Sequence, residues 1–77
     1  MELKDFIKIF AKQFIDTPAE EINADTRYKD LDEWSSITTL SVIAMIDENF
    51  ELLLSGDDVR SVDTVEELYQ KVKAMKA

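Results

Sequence analysis

A single glycine and a single proline in 77 residues leave this chain little of the turn chemistry that β-hairpins require. Helices must then supply most of the structure, and the apolar residues are spaced for them. Leu3, Phe6, Ile7, Phe10 and Phe14 recur at helical steps, which places them on one face of a helix over residues 2–15, with Lys4, Lys8 and Lys12 on the opposite side. Ile37, Leu40, Ile43, Ala44, Ile46 and Phe50 form a second stripe over residues 36–50. Val42 and Met45 widen that stripe beyond what a surface helix needs, so the spacing predicts a central helix touching several neighbours. Thr64-Val65-Glu66-Glu67 reads as a capping box that opens a last helix. Val65, Leu68, Tyr69, Val72 and Met75 are its expected buried face, and Lys71, Lys73 and Lys76 favour its C-terminal end.

The segments between are shorter on pattern. Thr17-Pro18-Ala19-Glu20 supplies an N-cap threonine, a proline at the first helical position and a capping glutamate, which predicts one short turn anchored by Ile22. Leu31 and Trp34 pin the rest of this long loop, and a loop held in that way is more often functional than idle. Leu52-Leu53-Leu54 reads as an irregular buried segment, and the residues after Gly56 as a single helical turn with Asp57 and Asp58 at its start. The expected fold is all-α, a small four-helix bundle of three main helices and one short one, in a single domain over residues 1–77.

Composition removes most chemistries. The chain has no cysteine and no histidine, which excludes disulfides, thiolate nucleophiles, histidine-ligated metals and any triad with an imidazole base. Residues 25–33 lack the alternating ligands, central glycine and terminal glutamate of a calcium loop, and no glycine-rich phosphate loop exists; no metal is expected. No apolar run is long enough for a membrane span and the N-terminus lacks a signal-peptide pattern, so the expectation is a cytoplasmic protein with no membrane role. Paired acids such as Asp57/Asp58 and Glu66/Glu67 read as helix-start residues rather than acid–base catalysts, and the chain is not expected to be an enzyme.

The net charge of −8 sits in one place. Residues 30–59 contain no lysine or arginine and eight acids, while the remaining nine acids are balanced by nine bases. Such a field repels nucleic acid and attracts basic proteins. Asp47, Glu48 and Glu51 lie where a helix macrodipole disfavours negative charge, and Asp47 and Glu51 form a like-charged pair four residues apart. Both effects are unfavourable by a few tenths of a kcal/mol or more, which points to a surface kept acidic for a basic partner. At the other end of the central helix, Ser35 is the natural N-cap and Ser36 the first helical residue, its hydroxyl at the positive end of the dipole, where a phosphate ester would be favoured.

Taken together, these residues resemble an acyl carrier protein, and the resemblance covers nearly the whole chain. Ser35-Ser36-Ile37 stands where the family has Asp-Ser-Leu, and Asp47-Glu48-Asn49-Phe50-Glu51 stands where the family has the acidic end of its second helix. The resemblance implies a non-catalytic monomer bearing 4′-phosphopantetheine, taken from coenzyme A, on Ser36. The arm would carry acyl or aminoacyl groups as thioesters in fatty-acid, polyketide or related specialised synthesis. It also implies a phosphopantetheinyl transferase and acyl-loading or synthase enzymes with basic docking patches as partners. Asp32, Glu33, Asp47, Glu48, Glu51 and Asp58 would form the docking surface. Leu40, Ile43, Ala44, Ile46, Leu54, Val59, Val62 and Leu68 would sheath a short acyl chain. The motif aspartate is replaced by Ser35, which leaves Ser35 as a second candidate for modification; Ser36 is preferred because Ile37 follows it as leucine does in the motif. The alternative is an unmodified acidic interaction domain of the same fold.

Overall fold

The capping box at Thr64 forms in the computed structural model, which describes residues 1–76. The Thr64 hydroxyl accepts from the Glu67 N–H at 3.1 Å, and the Glu67 carboxylate accepts from the N–H groups of Thr64 (2.9 Å) and Asp63 (3.0 Å). It opens the last of the α-helices described here: α1 (Leu3–Ala11), α2 (Ser36–Phe50), α3 (Gly56–Arg60) and α4 (Val65–Lys76). Two short 3₁₀ turns, Ala19–Glu21 and Tyr28–Asp30, lie in the long loop between α1 and α2. No strand occurs among the described residues, although Arg27 and Thr64 form one isolated antiparallel bridge. The radius of gyration, 11.1 Å, matches the roughly 11–12 Å of a compact chain of this length.

All four phenylalanines, both tyrosines and the tryptophan share one ring network. Phe6 packs on Tyr69 (5.3 Å between centroids) and Phe50 (6.0 Å), joining α1 to α4 and to the end of α2. Phe10 meets Tyr28 at 5.5 Å, Tyr28 meets Trp34 edge-on at 4.9 Å, and Phe14 stacks on Trp34 at 6.3 Å. The loop between α1 and α2 is therefore anchored in the core by Tyr28 and Trp34, with Ile22 also buried. Tyr28 is fully enclosed, and its hydroxyl donates to the Val59 carbonyl and lies 3.3 Å from that of Val62. Backbone bonds from Val65 N–H to Thr26 and from Glu66 N–H to Ala24 fasten the same loop to the start of α4.

Several elements differ from the sequence expectation. The first helix ends at Ala11 rather than near residue 15: Gln13 and Phe14 turn back on Phe10 and Ala11, and the next three amides are taken by the Glu33 carboxylate instead of helix carbonyls. Phe14 stays buried, while Ile15 is exposed. Thr17 does not cap the following turn; its hydroxyl donates to Glu33, and the turn starts at Ala19 after Pro18. Of the three consecutive leucines, Leu54 is buried, Leu52 is half-buried and Leu53 is exposed, so the segment is only partly inside. Met75 also lies at the surface rather than on the buried face of α4.

The largest shift concerns α2. Its ends match the expected 36–50, but the helix is rotated: Thr38, Thr39, Val42, Met45 and Ile46 point inward, while Ile37 (75% exposed), Leu40 (65%) and Ala44 point out. Apolar residues occur around most of this helix, so the stripe alone could not set its phase. Val42, Met45 and Ile46 take the interior, and Thr38 and Thr39 enter it with their hydroxyls already bonded to the carbonyls of Glu33 and Ser35.

Two outcomes follow from this packing. Tyr28→Phe leaves the Val59 carbonyl without its donor, at a cost of about 1–3 kcal/mol, read as a lower urea midpoint with an unchanged m-value. Glu51 terminates α2 with φ at 53°, a left-handed conformation that costs a side-chain-bearing residue about 1 kcal/mol or more relative to glycine. Glu51→Gly relieves both this strain and the repulsion from Asp47, and should raise the melting temperature; an unchanged or lower value would show that neither matters.

Candidate functional site

Every cap contact at the start of α2 involves a neighbour of Ser36. The Ser35 side chain accepts from the Thr38 N–H (3.4 Å), and the Thr38 hydroxyl accepts from the Ser35 N–H (3.0 Å) while donating to the Glu33 carbonyl (2.8 Å). Thr39 adds a hydroxyl bond to the Ser35 carbonyl at 2.8 Å. Ser35, expected as the N-cap, is thus committed to that role. Ser36 is the exposed first residue of α2, with its hydroxyl at the positive end of the helix.

The outward face of α2 runs from this hydroxyl. At 100° per residue, Ser36, Ile37, Leu40, Ala44, Asp47, Glu48 and Glu51 fall within a sector of about 120°, and all seven are exposed. The face begins with a serine, continues through apolar side chains and ends in acids. None of the basic residues of the chain lies on α2.

The expected docking acids divide into two groups. Asp32, Asp47, Glu48 and Glu51 are exposed and make no salt bridge among the described residues. Asp58 is drawn into the cap of α3, accepting from the Ser55 N–H and hydroxyl at 3.0 Å each, and it pairs with Lys71 at 3.6 Å. The Ser55 N–H, the Ser55 hydroxyl and the Lys71 charge hold its carboxyl below the usual range. Glu33 is the more heavily engaged: its carboxylate receives the N–H groups of Ile15 (2.6 Å), Asp16 (2.9 Å) and Thr17 (2.9 Å), and the Thr17 hydroxyl (2.9 Å). A surface concavity of about 410 Å³ lined by Asp16, Thr17, Glu21, Leu31, Asp32 and Glu33 lies beside this latch.

The residues expected to sheath an acyl chain also separate. Ile46, Leu54, Val59 and Leu68 are packed in the core, Ile43 and Val62 are half-buried beside it, and Leu40 and Ala44 lie on the outward face of α2. Leu40 and Ala44 thus lie apart from the other six, on the surface of α2. A chain entering between α2, α3 and α4 would have to part side chains that are already in contact. Thr38 escaped the sequence reading because a capping box is sought as Ser/Thr followed by Glu/Gln, whereas here threonine takes the reciprocal role.

Among the described residues no group of acids is arranged to hold a metal ion, every buried side-chain polar atom has a partner, and no helix is long and apolar enough to cross a membrane. No protein-family model matches the chain, and neither the curated proteins nor the solved structures provide a match.

The Glu33 latch makes a pH-dependent contribution. The Ile15 N–H, followed by the Thr17 hydroxyl and the N–H groups of Asp16 and Thr17, holds its carboxyl below the ordinary 4.5 against the opposing effect of desolvation. A carboxyl whose pKa is lower in the folded than in the unfolded chain stabilises fully above the ordinary value and loses that contribution as pH falls through the lowered one. Wild type should therefore melt above Glu33→Gln at about pH 7, and the gap should close below about pH 4. A gap that stays constant on acidification contradicts this role.

Proposed function

We propose that the chain is a carrier protein of the acyl-carrier type, with Ser36 as the attachment point of a 4′-phosphopantetheine arm. The observation that carries this reading is the division of labour between adjacent serines: Ser35 is locked in the cap, while Ser36 is exposed on the first turn of α2. The residues fit the group. The N–H groups of Ser36 and Ile37, at the first two helical positions, have no intrahelical acceptor and favour a phosphate ester there.

In the attachment step, the Ser36 oxygen forms a bond to the pantetheine-bearing phosphorus of coenzyme A. The pyrophosphate bond breaks, adenosine 3′,5′-bisphosphate leaves, and the serine proton passes to a base of the transferase. The arm supplies a terminal thiol on which acyl or aminoacyl groups travel as thioesters. The protein itself holds the attachment oxygen at the mouth of a rigid helix and offers partner enzymes the outward face of α2. Ile37 and Leu40 provide apolar contact area, and Asp47, Glu48 and Glu51 attract basic patches. Tethering raises the effective concentration of the carried group at a docked enzyme. The acids proposed for docking are Asp32, Asp47, Glu48 and Glu51; Glu33 and Asp58 serve the fold.

Intact mass after incubation with coenzyme A and a promiscuous phosphopantetheinyl transferase tests the reading. Wild type and Ser35→Ala should each gain one phosphopantetheine, and Ser36→Ala none. Addition to Ser36→Ala moves the site. No addition to wild type with several transferases leaves an unmodified acidic interaction domain as the better account.

A further inference from the structure

The Glu33 side chain holds the end of the α1 region, and its main chain holds the start of α2. On one side its carboxylate gathers three consecutive amides and a hydroxyl from residues 15–17, all within 2.6–2.9 Å. On the other, its carbonyl accepts the Thr38 hydroxyl at 2.8 Å, and that hydroxyl also receives the Ser35 N–H at 3.0 Å. Ser36 stands between these bonded residues. Among the described residues, no other residue near Ser36 links the first turn of α2 to a separate part of the chain by so many hydrogen bonds.

We propose that Glu33 is a positioning residue for Ser36: by clamping residues 15–17 it fixes the backbone that leads into α2, and so presents the Ser36 hydroxyl in one orientation to the transferase. This rests on the reading of Ser36 as the attachment site, and it replaces the expected role of Glu33 as a docking acid. A carboxylate saturated by four donors has little left with which to bind a partner's base. What it can do is hold the attachment oxygen still. A reacting atom displaced by about 1 Å can lose on the order of a hundredfold in rate.

The experiment follows phosphopantetheine transfer from coenzyme A by intact mass on wild type, Glu33→Gln, Glu33→Ala and Thr17→Val. Circular dichroism confirms that each variant is folded at the assay temperature, and amide exchange is measured in parallel on the unloaded proteins. Glu33→Ala should lower kcat by about ten- to a hundredfold with KM for the carrier little changed. Glu33→Gln, which keeps one acceptor oxygen, and Thr17→Val, which removes one donor, should fall between. The amides of Thr38 and Thr39, which are bonded to Ser35, should exchange faster in Glu33→Ala, while those of Leu68 and Val72 in α4 remain protected. A loss confined to KM would return Glu33 to a docking role and overturn the proposal, as would wild-type kinetics in folded variants. If Glu33→Ala does not fold, the other two variants carry the same comparison. If wild type gains no arm, the carrier reading fails by itself, and exchange alone then decides whether Glu33 orders the first turn of α2; unchanged protection of the Thr38 and Thr39 amides overturns the clamp.

Discussion

The structure depends on how one phenol is enclosed. A loop of 24 residues separates α1 from α2, longer than a small helical domain usually tolerates without packing of its own. Tyr28 supplies that packing. Its ring lies between Phe10 and Trp34, and its hydroxyl reaches carbonyls at the end of α3 and in the turn before α4. Burial, reinforced by the charges of Asp63 and Glu67, pushes its ionisation well above the normal range, so it remains a neutral donor at any ordinary pH. Lys29, next along the chain, pairs with Asp63 at 3.1 Å and donates to the Arg60 carbonyl at 2.7 Å, so the same turn is also tied on its outer side.

Once the loop is fixed in this way, its C-terminal end has little freedom left. Trp34 stacks on Phe14, the Glu33 carboxylate holds the preceding backbone, and Ser35 enters α2 with its cap complete. The inward face of α2 joins Val42, Met45 and Ile46 to Thr38 and Thr39, whose hydroxyls are satisfied within the cap and so can be buried. Ile37, Leu40 and Ala44 are left outside as a result.

Much of this was legible in the amino-acid sequence, and the remainder was hidden for identifiable reasons. The bounds of α2, the start of α4 and the single turn after Gly56 were written in Ser35, Thr64 and the acids that follow Gly56, since helix ends have specific chemistry. The aromatic spacing of α1 gave its buried face but not its end, because the competitor for its last amides is Glu33, distant in sequence. Tyr28 carried no periodic signal: it is a lone aromatic in a polar stretch, and its partners are backbone carbonyls, which no sequence pattern marks. The rotation of α2 was hidden because apolar residues surround most of the helix, so that several phases bury a comparable stripe. At the candidate site, the relation between Ser35 and Ser36 could be read directly, and Asp58 was legible as a helix-start acid, whereas Glu33 looked like a free acid until its donors were located.

The outward face of α2 is also a ruler. At about 1.5 Å per residue, Asp47 lies roughly 17 Å and Glu51 roughly 22 Å along the axis from Ser36. On the proposed reading, a partner that engaged the Ser36 hydroxyl and these acids together would need its cationic surface at that spacing from the group that meets the serine, on a line that follows the helix. The spacing is rigid because the helix is unbroken from Ser36 to Phe50. A surface with the right charge at the wrong interval would meet the acids without reaching Ser36.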